Sequence, residues 1–475
     1  MFKKVIIAIG SLIAAIVILI IIAGIIIIIK VDKGFISSQM SRALNRQVYI
    51  EKIDVSIFSI VSGIEIKNAA VSNFKTPQQL SVLQGKPVAV NDVFTGMESM
   101  NFKIRFLPLL KRQLDLKEIV LYKPVINLSR SKQGVLNIDD LLKPGKKEPQ
   151  EKNKEEIKPP AKQLSADDLP IAITVGEIGI KNGTINYYDR QTEQKFQVYN
   201  LTTLAYDINI DPKELEKKDE IKLKIGMGLK TVGPMKTGSV QNFDLTFDAT
   251  GKVIPFDIKT RLLEPEVLLH IAIPDGEVTG LQIFNSVAAI PILGDYLGQY
   301  ISFLKGKQEW KNSKDTGVDL RYKAANARLS NGKLDLKEAK FLFDGKVDTD
   351  SKALDMNLNM VMKEEISEKV KTALAKKIEA AIKSPEVKKY TDSGKLAETA
   401  MLPLLNKEGM IDMKFNVGGT TRKTSVKLVQ PQLDSLGSII KNSAGGVLTE
   451  AGKSAGKQLL EGAQKKALEG IFKKK

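Results

Sequence analysis

His270 is the only imidazole in the chain, and cysteine is absent. Nucleophilic catalysis by Ser/His or Cys/His needs a nucleophile and a base held within reach of each other. A zinc site needs several nitrogen or sulfur ligands. One histidine supplies neither arrangement. Its setting, Glu266-Val267-Leu268-Leu269-His270-Ile271, is that of an apolar strand that tolerates it. Carboxylate-only acid–base chemistry needs acids placed close together, and no tight pair in a glycine-framed context stands out. The expectation is a protein that is not an enzyme and holds no metal and no cofactor. Without cysteine there is also no disulfide and no lipid-modified cysteine anchor, so stability must come from core burial.

Lysine and arginine number 72 against 55 acids, a formal charge of +17. Nucleic-acid binding requires clustered cations with interleaved aromatics. Here aromatics are 6% and the basic residues alternate with acids. No nucleic-acid partner is expected. The lysines read first as a solvated surface and second as attraction to anionic lipid headgroups.

The second reading gains weight from Val5–Ile29, an uncharged apolar run of 25 positions interrupted only by Gly10, Ser11 and Gly24. About 20 apolar residues cross a bilayer core of roughly 30 Å. Signal-peptide cores are shorter and end in small residues, whereas this one ends in five isoleucines and Lys30. The run reads as an uncleaved single-pass anchor over residues 1–30. Lys3 and Lys4 precede it and Lys30 and Lys33 follow, which gives a slight preference for a cytoplasmic N-terminus.

Beyond residue 48 the main signal is period-2 alternation, the mark of strands with one apolar face. Ile64 and Ile66 show it briefly; Leu223, Ile225, Met227 and Leu229 show it cleanly, with Lys or Gly between. Phe243, Leu245 and Phe247 repeat it, as do Met356, Leu358 and Met360. These twelve are the candidate residues for lining an apolar groove. Asn182-Gly183 and Asn331-Gly332 suit tight hairpins, and Asp344-Gly345 is a third turn signal. Helical periodicity marks 32–45, 281–304 and 363–383, the last with a stop at Ser384-Pro385. Residues 143–168, rich in Lys, Glu and Pro, read as a flexible linker. The glycine-rich tail from 431 to 475 leaves two readings open: a helix capping the sheet, or an amphipathic helix lying on a membrane.

An ordered series of residues in the first 150 positions resembles the AsmA family of bacterial envelope proteins. It comprises Leu44-Asn45-Arg46-Gln47-Val48-Tyr49-Ile50, Gly63-Ile64-Glu65-Ile66-Lys67-Asn68, Phe106-Leu107-Pro108-Leu109-Leu110 and Pro124-Val125-Ile126-Asn127-Leu128. Gly134-Val135-Leu136-Asn137 through Leu141-Leu142 completes it. Asn45-Arg46 stands where the family has Gly-Arg. The resemblance implies a bacterial inner-membrane anchor with the body in the periplasm. It also implies a long curled sheet with an apolar groove and a role in phospholipid movement and outer-membrane integrity. Membrane phospholipids are the implied ligand, and an outer-membrane or periplasmic envelope protein is a candidate partner. It carries over no catalytic residues.

The resulting fold expectation is mainly β with accessory helices: an N-terminal transmembrane helix, an elongated, curled antiparallel β-sheet, and amphipathic C-terminal helices. The expected segments are an anchor at 1–30, a membrane-proximal module at 31–142, a linker at 143–168 and a β-rich groove region at 169–362. A helical insert falls near 281–304. An amphipathic helical segment at 363–400, terminal strands at 401–430 and the tail at 431–475 follow. The expected function is binding of acyl chains along the groove; the alternative is a non-enzymatic scaffold for outer-membrane protein assembly, its sheet closed by its own helices.

Overall fold

The computed structural model describes residues 33–56, 62–105, 107–111, 113–142, 164–169, 171–216, 220–233, 242–382, 392–421, 423–433 and 438. The apolar run at 5–29, most of the linker at 143–163, the stop at 384–385 and nearly all of the tail lie outside the described residues. Among those described, strands dominate, eighteen in number. The chain divides into two compact units. The first holds residues 1–237, 241–277 and 311–327; the second holds 238–240, 278–310 and 328–475.

Unit 1 opens with helix α1 (Lys33–Leu44), strands β1 (Arg46–Ser56) and β2 (Ser62–Phe74), and the short helix α2 (Pro77–Leu83). Thr76 and Gln79 form a reciprocal capping box at the start of α2, which satisfies two donors that the first turn leaves free. Strands β3 (Val93–Arg105), β4 (Gln113–Tyr122), β5 (Val125–Arg130), β6 (Ala172–Asp189) and β7 (Gln194–Ile210) follow. Next come β8 (Ile221–Val232), β9 (Asn242–Phe256), β10 (Leu263–Ala272), β11 (Gly276–Thr279) at the border with unit 2 and, further on, β13 (Gly317–Lys323). Hydrogen-bonded neighbours run β1–β2–β3–β4–β6–β7–β8–β9–β10–β13.

The sheet is not wholly antiparallel, a correction to the sequence reading. β4 and β5 both pair in parallel with β6. They are one strand broken at Lys123-Pro124, where Lys123 takes a left-handed φ of 46° and proline has no amide hydrogen to donate. The return to β6 passes through residues 131–171, long enough for a parallel crossover. The end of the expected linker is ordered: Ser165 caps the turn Ala166–Asp168 and bridges to Leu262.

A second correction concerns the turns. Asn182-Gly183 lies inside β6 and Asn331-Gly332 inside β14 (Asn326–Asp335); Asp344-Gly345 lies inside β15 (Ala339–Asp348). Asn182 and Asn331 keep positive φ, 55° and 54°. At Gly183 the register with β7 shifts, so the pair makes a bulge within a continuing strand. The hairpins reverse instead at Asp189, Asp257 and Asp348. Each carboxylate accepts the backbone N–H groups two and three residues on, at 2.7–3.3 Å. A short acceptor side chain stabilises such a turn without glycine.

The start of β1 is fixed by Arg46, whose side chain is 0% exposed. Asn45 before it has φ 51°, a conformation that asparagine and glycine share readily, so it replaces the family's glycine without changing the turn. The Arg46 guanidinium donates to Ser72 O at 3.2 Å, to Asn137 O at 2.7 Å and to Asp140 Oδ1 at 2.7 Å, and it lies 4.7 Å from the Phe94 ring centroid. Thus the first and last segments of the sequence signature meet in one buried cluster.

Unit 2 contains helices α3 (Gln282–Ala288) and α4 (Pro291–Leu297), a 3-10 stretch Gly298–Lys305 and β12 (Lys307–Trp310). β14, β15, β16 (Leu354–Met362), α5 (Glu364–Ala381), α6 (Ser393–Met401), β17 (Asp412–Gly419) and β18 (Thr424–Gln430) complete it. β15 to β18 pair antiparallel in sequence order. No single described helix is long and apolar enough to cross a membrane. The bent stretch Gln282–Lys305 is apolar enough in composition, but Phe284, Val287, Leu293, Leu297 and Leu304 are buried in the unit's core.

Asp140→Ala leaves the buried Arg46 charge without its carboxylate, which removes about 3 kcal/mol of stability. Urea unfolding of the full chain checks this value, and an unchanged midpoint contradicts it.

Candidate functional site: an apolar sheet face

Directly paired residues in a sheet share a face. Starting at Val55, the partners across β1 to β4 are Ile64, Phe102 and Ile119. The row continues through Ile178, Ala205, Leu223, Gly251, Leu269 and Leu320 on β6 to β10 and β13. A second row starts at Ile66, Met100, Leu121 and Ile180. It goes on through Thr203, Ile225, Ala249 and Ile271. The first row crosses ten strands and the second eight of them; apart from Gly251 and Thr203 their side chains are apolar, and neither row holds an ionisable group.

The opposite face is charged. Lys103 pairs with Glu118, Lys222 with Asp207, Lys230 with Asp244 and Arg321 with Glu266. His270 lies there too, exposed, with Nδ1 2.7 Å from Asp319 Oδ1 on the neighbouring strand. Gly228 leaves room for the Tyr199 ring on this face: a Cβ at 228 would fall 2.0 Å from Tyr199 Cζ. Burial, and then the bond from the Tyr199 hydroxyl to Asp244 Oδ1 at 2.7 Å, pushes the phenol up to about 12.

Cover over the apolar face is uneven. Ile64 and Ile66 are buried in a cluster with Met100, Phe102 and Ile119, and Ile36, Met40 and Leu44 of α1 pack against it. Leu223, Ile225, Met227, Leu229, Phe243, Leu245 and Phe247 are only half-buried, as are Ile178, Leu269 and Ile271 of the same rows. Among the described residues α1 and α2 both pack at β1, while the short helix Asp139–Leu142 brings Ile138 and Leu141 to the cluster around Phe94 and Ile126. Met227 and Leu229 join a second cluster around Phe94, Ile126, Leu128, Ile185 and Val198. Phe243 meets Phe196 edge-on, with ring centroids 6.4 Å apart.

The β16 candidates have a different environment. Met360 is 0% exposed and Leu358 is 7% exposed; only Met356 is half-buried. Their row partners Phe341, Met413, Phe415 and Val417 are also buried. Phe284 of α3 stacks on Phe341 at 4.6 Å, and Val370, Leu374 and Ile378 of α5 are buried. Leu358 and Met360 are therefore buried in the protein core of unit 2. Alternation identified the apolar face but carried no sign of the helices that fill it. Sequence reasoning missed the half-buried partners Ile178, Leu269 and Ile271, although the run Val267-Leu268-Leu269 held the signal.

Among the described residues no group of three or more His, Asp or Glu could hold a metal ion. What the face offers is a long apolar surface with a charged reverse. That pattern defines a class, a β-rich protein with a one-sided sheet. The AsmA family model matches residues 2–369, and the chain belongs to the AsmA family. No curated protein and no solved structure matches the chain.

Truncation separates the two kinds of face. Met360→Ala costs about 2–5 kcal/mol, as at other sealed core sites. Ile225→Ala costs less than half of that, because its side chain already meets solvent; urea unfolding of both variants reads the difference. The raised Tyr199 phenol favours the neutral form in the fold. The stability it adds is complete below pH 10 and is lost as pH rises towards about 12. Tyr199→Phe should flatten that alkaline loss, measured by unfolding midpoints across the range; an unaltered slope would refute the assignment.

Proposed function

We propose that the apolar face of unit 1 binds lipid acyl chains, and that the chain moves or holds phospholipid between the inner and outer membranes and so contributes to envelope integrity. In this reading residues 1–30 anchor the protein in the inner membrane with the bulk in the periplasm. No bond chemistry is involved, and the face uses neither metal nor cofactor. The observation that carries the reading is the pair of uncharged rows whose members across β6 to β10, apart from Ala249, stay half-buried. Each methylene that leaves water for such a face contributes roughly 0.8 kcal/mol. A row of similar side chains gives affinity without a fixed stopping point, as sliding requires. Membership of the AsmA family is compatible with this role. The sealed face of unit 2 favours a second reading for that unit, a scaffold that assists or regulates assembly of an envelope protein.

A photoreactive amino acid placed at Leu223 or Ile225 in the full chain, crosslinked in cells, should yield phospholipid adducts by mass spectrometry. The same residue at Lys224, on the charged face, or at Met360, in the closed core, should yield none. Absence of adducts at 223 and 225, or equal adducts at 224, would sink the reading.

A further inference from the structure

The strands of unit 1 have two ends. At one, β1 starts at Arg46 beside Phe74. At the other, β1 stops at Ser56, paired with Gly63, and β3 stops near Arg105, one step beyond the pair Ser62 and Ile104. Helix α1 runs back along β1. Its last residue, Leu44, lies next to the Arg46 end, while Lys33 Nζ at its start donates to Glu51 O at 2.8 Å. The chain therefore enters unit 1 from the side of Ser56. Four residue steps separate Lys33 from Ile29, the last of the apolar run, a reach of at most about 14 Å.

The β3–β4 turn at this same end is a 3-10 stretch, Leu107–Lys111, with the sequence Leu-Pro-Leu-Leu-Lys. Leu107 is 72% exposed, and Val55, one residue from the end of β1, is exposed as well. Lys111 is exposed at the end of the turn, while Arg105 before it is paired with Asp115 at 3.3 Å. Leaving such a leucine in a water-facing surface gains nothing, whereas a bilayer interface accepts an apolar side chain flanked by cations. The opposite end also shows exposed apolar groups, Phe74, Val82 and Val90, but the chain does not enter from there.

We infer that the Ser56 end of unit 1 rests on the bilayer, with the Leu107 turn inserted among anionic headgroups of the membrane that the apolar run enters. The inference rests on the anchor in the proposed function but not on its lipid-binding face. Adjacent strands rotate by about 20–25°, so the contact is confined to the first hairpins and later strand ends turn away. The docking corner uses Leu107, Val55 and Lys111.

The chain has no cysteine, so single Leu107→Cys and Val90→Cys variants accept an environment-sensitive fluorophore cleanly. The two positions flank β3, 12 residue steps from Val93 to Arg105, or about 40 Å. Full-length protein is placed in nanodiscs containing phosphatidylglycerol and a headgroup-level spin-labelled lipid. The expected result is a blue shift at 107 with severalfold stronger quenching than at 90. Protein that incorporates with equal or weaker quenching at 107 overturns the docking corner and leaves the lipid-binding face untouched. Protein that fails to incorporate overturns the anchor, and the inference with it. Loss of the 107 signal in Lys111→Glu, with incorporation unchanged, supports the part played by anionic headgroups.

Discussion

Everything in unit 1 depends on register. A slip of one residue in any strand would turn its apolar side chains to the charged face. The rows through Ile64 and Ile66 stay continuous over ten and eight strands only because each pairing keeps its phase. Where an extra residue intrudes, as at Asn182-Gly183, a matching irregularity lies opposite: Asn200 on β7 also takes a positive φ, 51°. Phase is recovered beyond both, at Ile185 and Val198. The bulges therefore allow strands of 17 and 18 residues to bend without exchanging their faces.

The same alternation has two outcomes in one chain. In unit 2 the face of β15 to β17 is filled by helices, and Phe341, Met360 and Met413 are sealed as an ordinary core. In unit 1 helical cover lies at β1 and, through the short helix Asp139–Leu142, at the cluster that Met227 and Leu229 join. An antiparallel sheet normally buries one face against a second layer, and the half-burial of Leu223, Ile225 and Leu269 is what remains when that layer stops short. Charge distribution agrees with this division, because ion pairs such as Lys230–Asp244 and Arg321–Glu266 lie on the other side.

Much of this is legible in the sequence, for physical reasons. Clean alternation at 221–230 and at 354–360 corresponds to β8 and β16, because period 2 is a property of the strand itself. The four-residue spacing of Ile366, Val370, Leu374 and Ile378 corresponds to α5 for the same kind of reason. What alternation cannot encode is what covers a face. The surroundings of Ile225 and Met360 differ through the helices packed on β15 to β17, which alternation within a strand does not register, so the two residues read alike. Asn-Gly reads as a reversal because its backbone preference is shared by turns and bulges. Asp189, Asp257 and Asp348 give a fainter signal, since their turns need only a carboxylate and the amides that follow it. The parallel step at β6 is hidden behind a connection whose composition says nothing about direction.

That parallel step has a further consequence. β6 lies along β4 and β5 in succession, as a splint lies along a fracture, and holds both halves of the strand broken at Pro124. The segment that bears the sequence signature thus ends on a bare edge unless β6 is present, although some forty residues separate them in the chain. A change in the length of that connection leaves the splint in place, whereas loss of the strand it leads to bares the edge of β4 and β5.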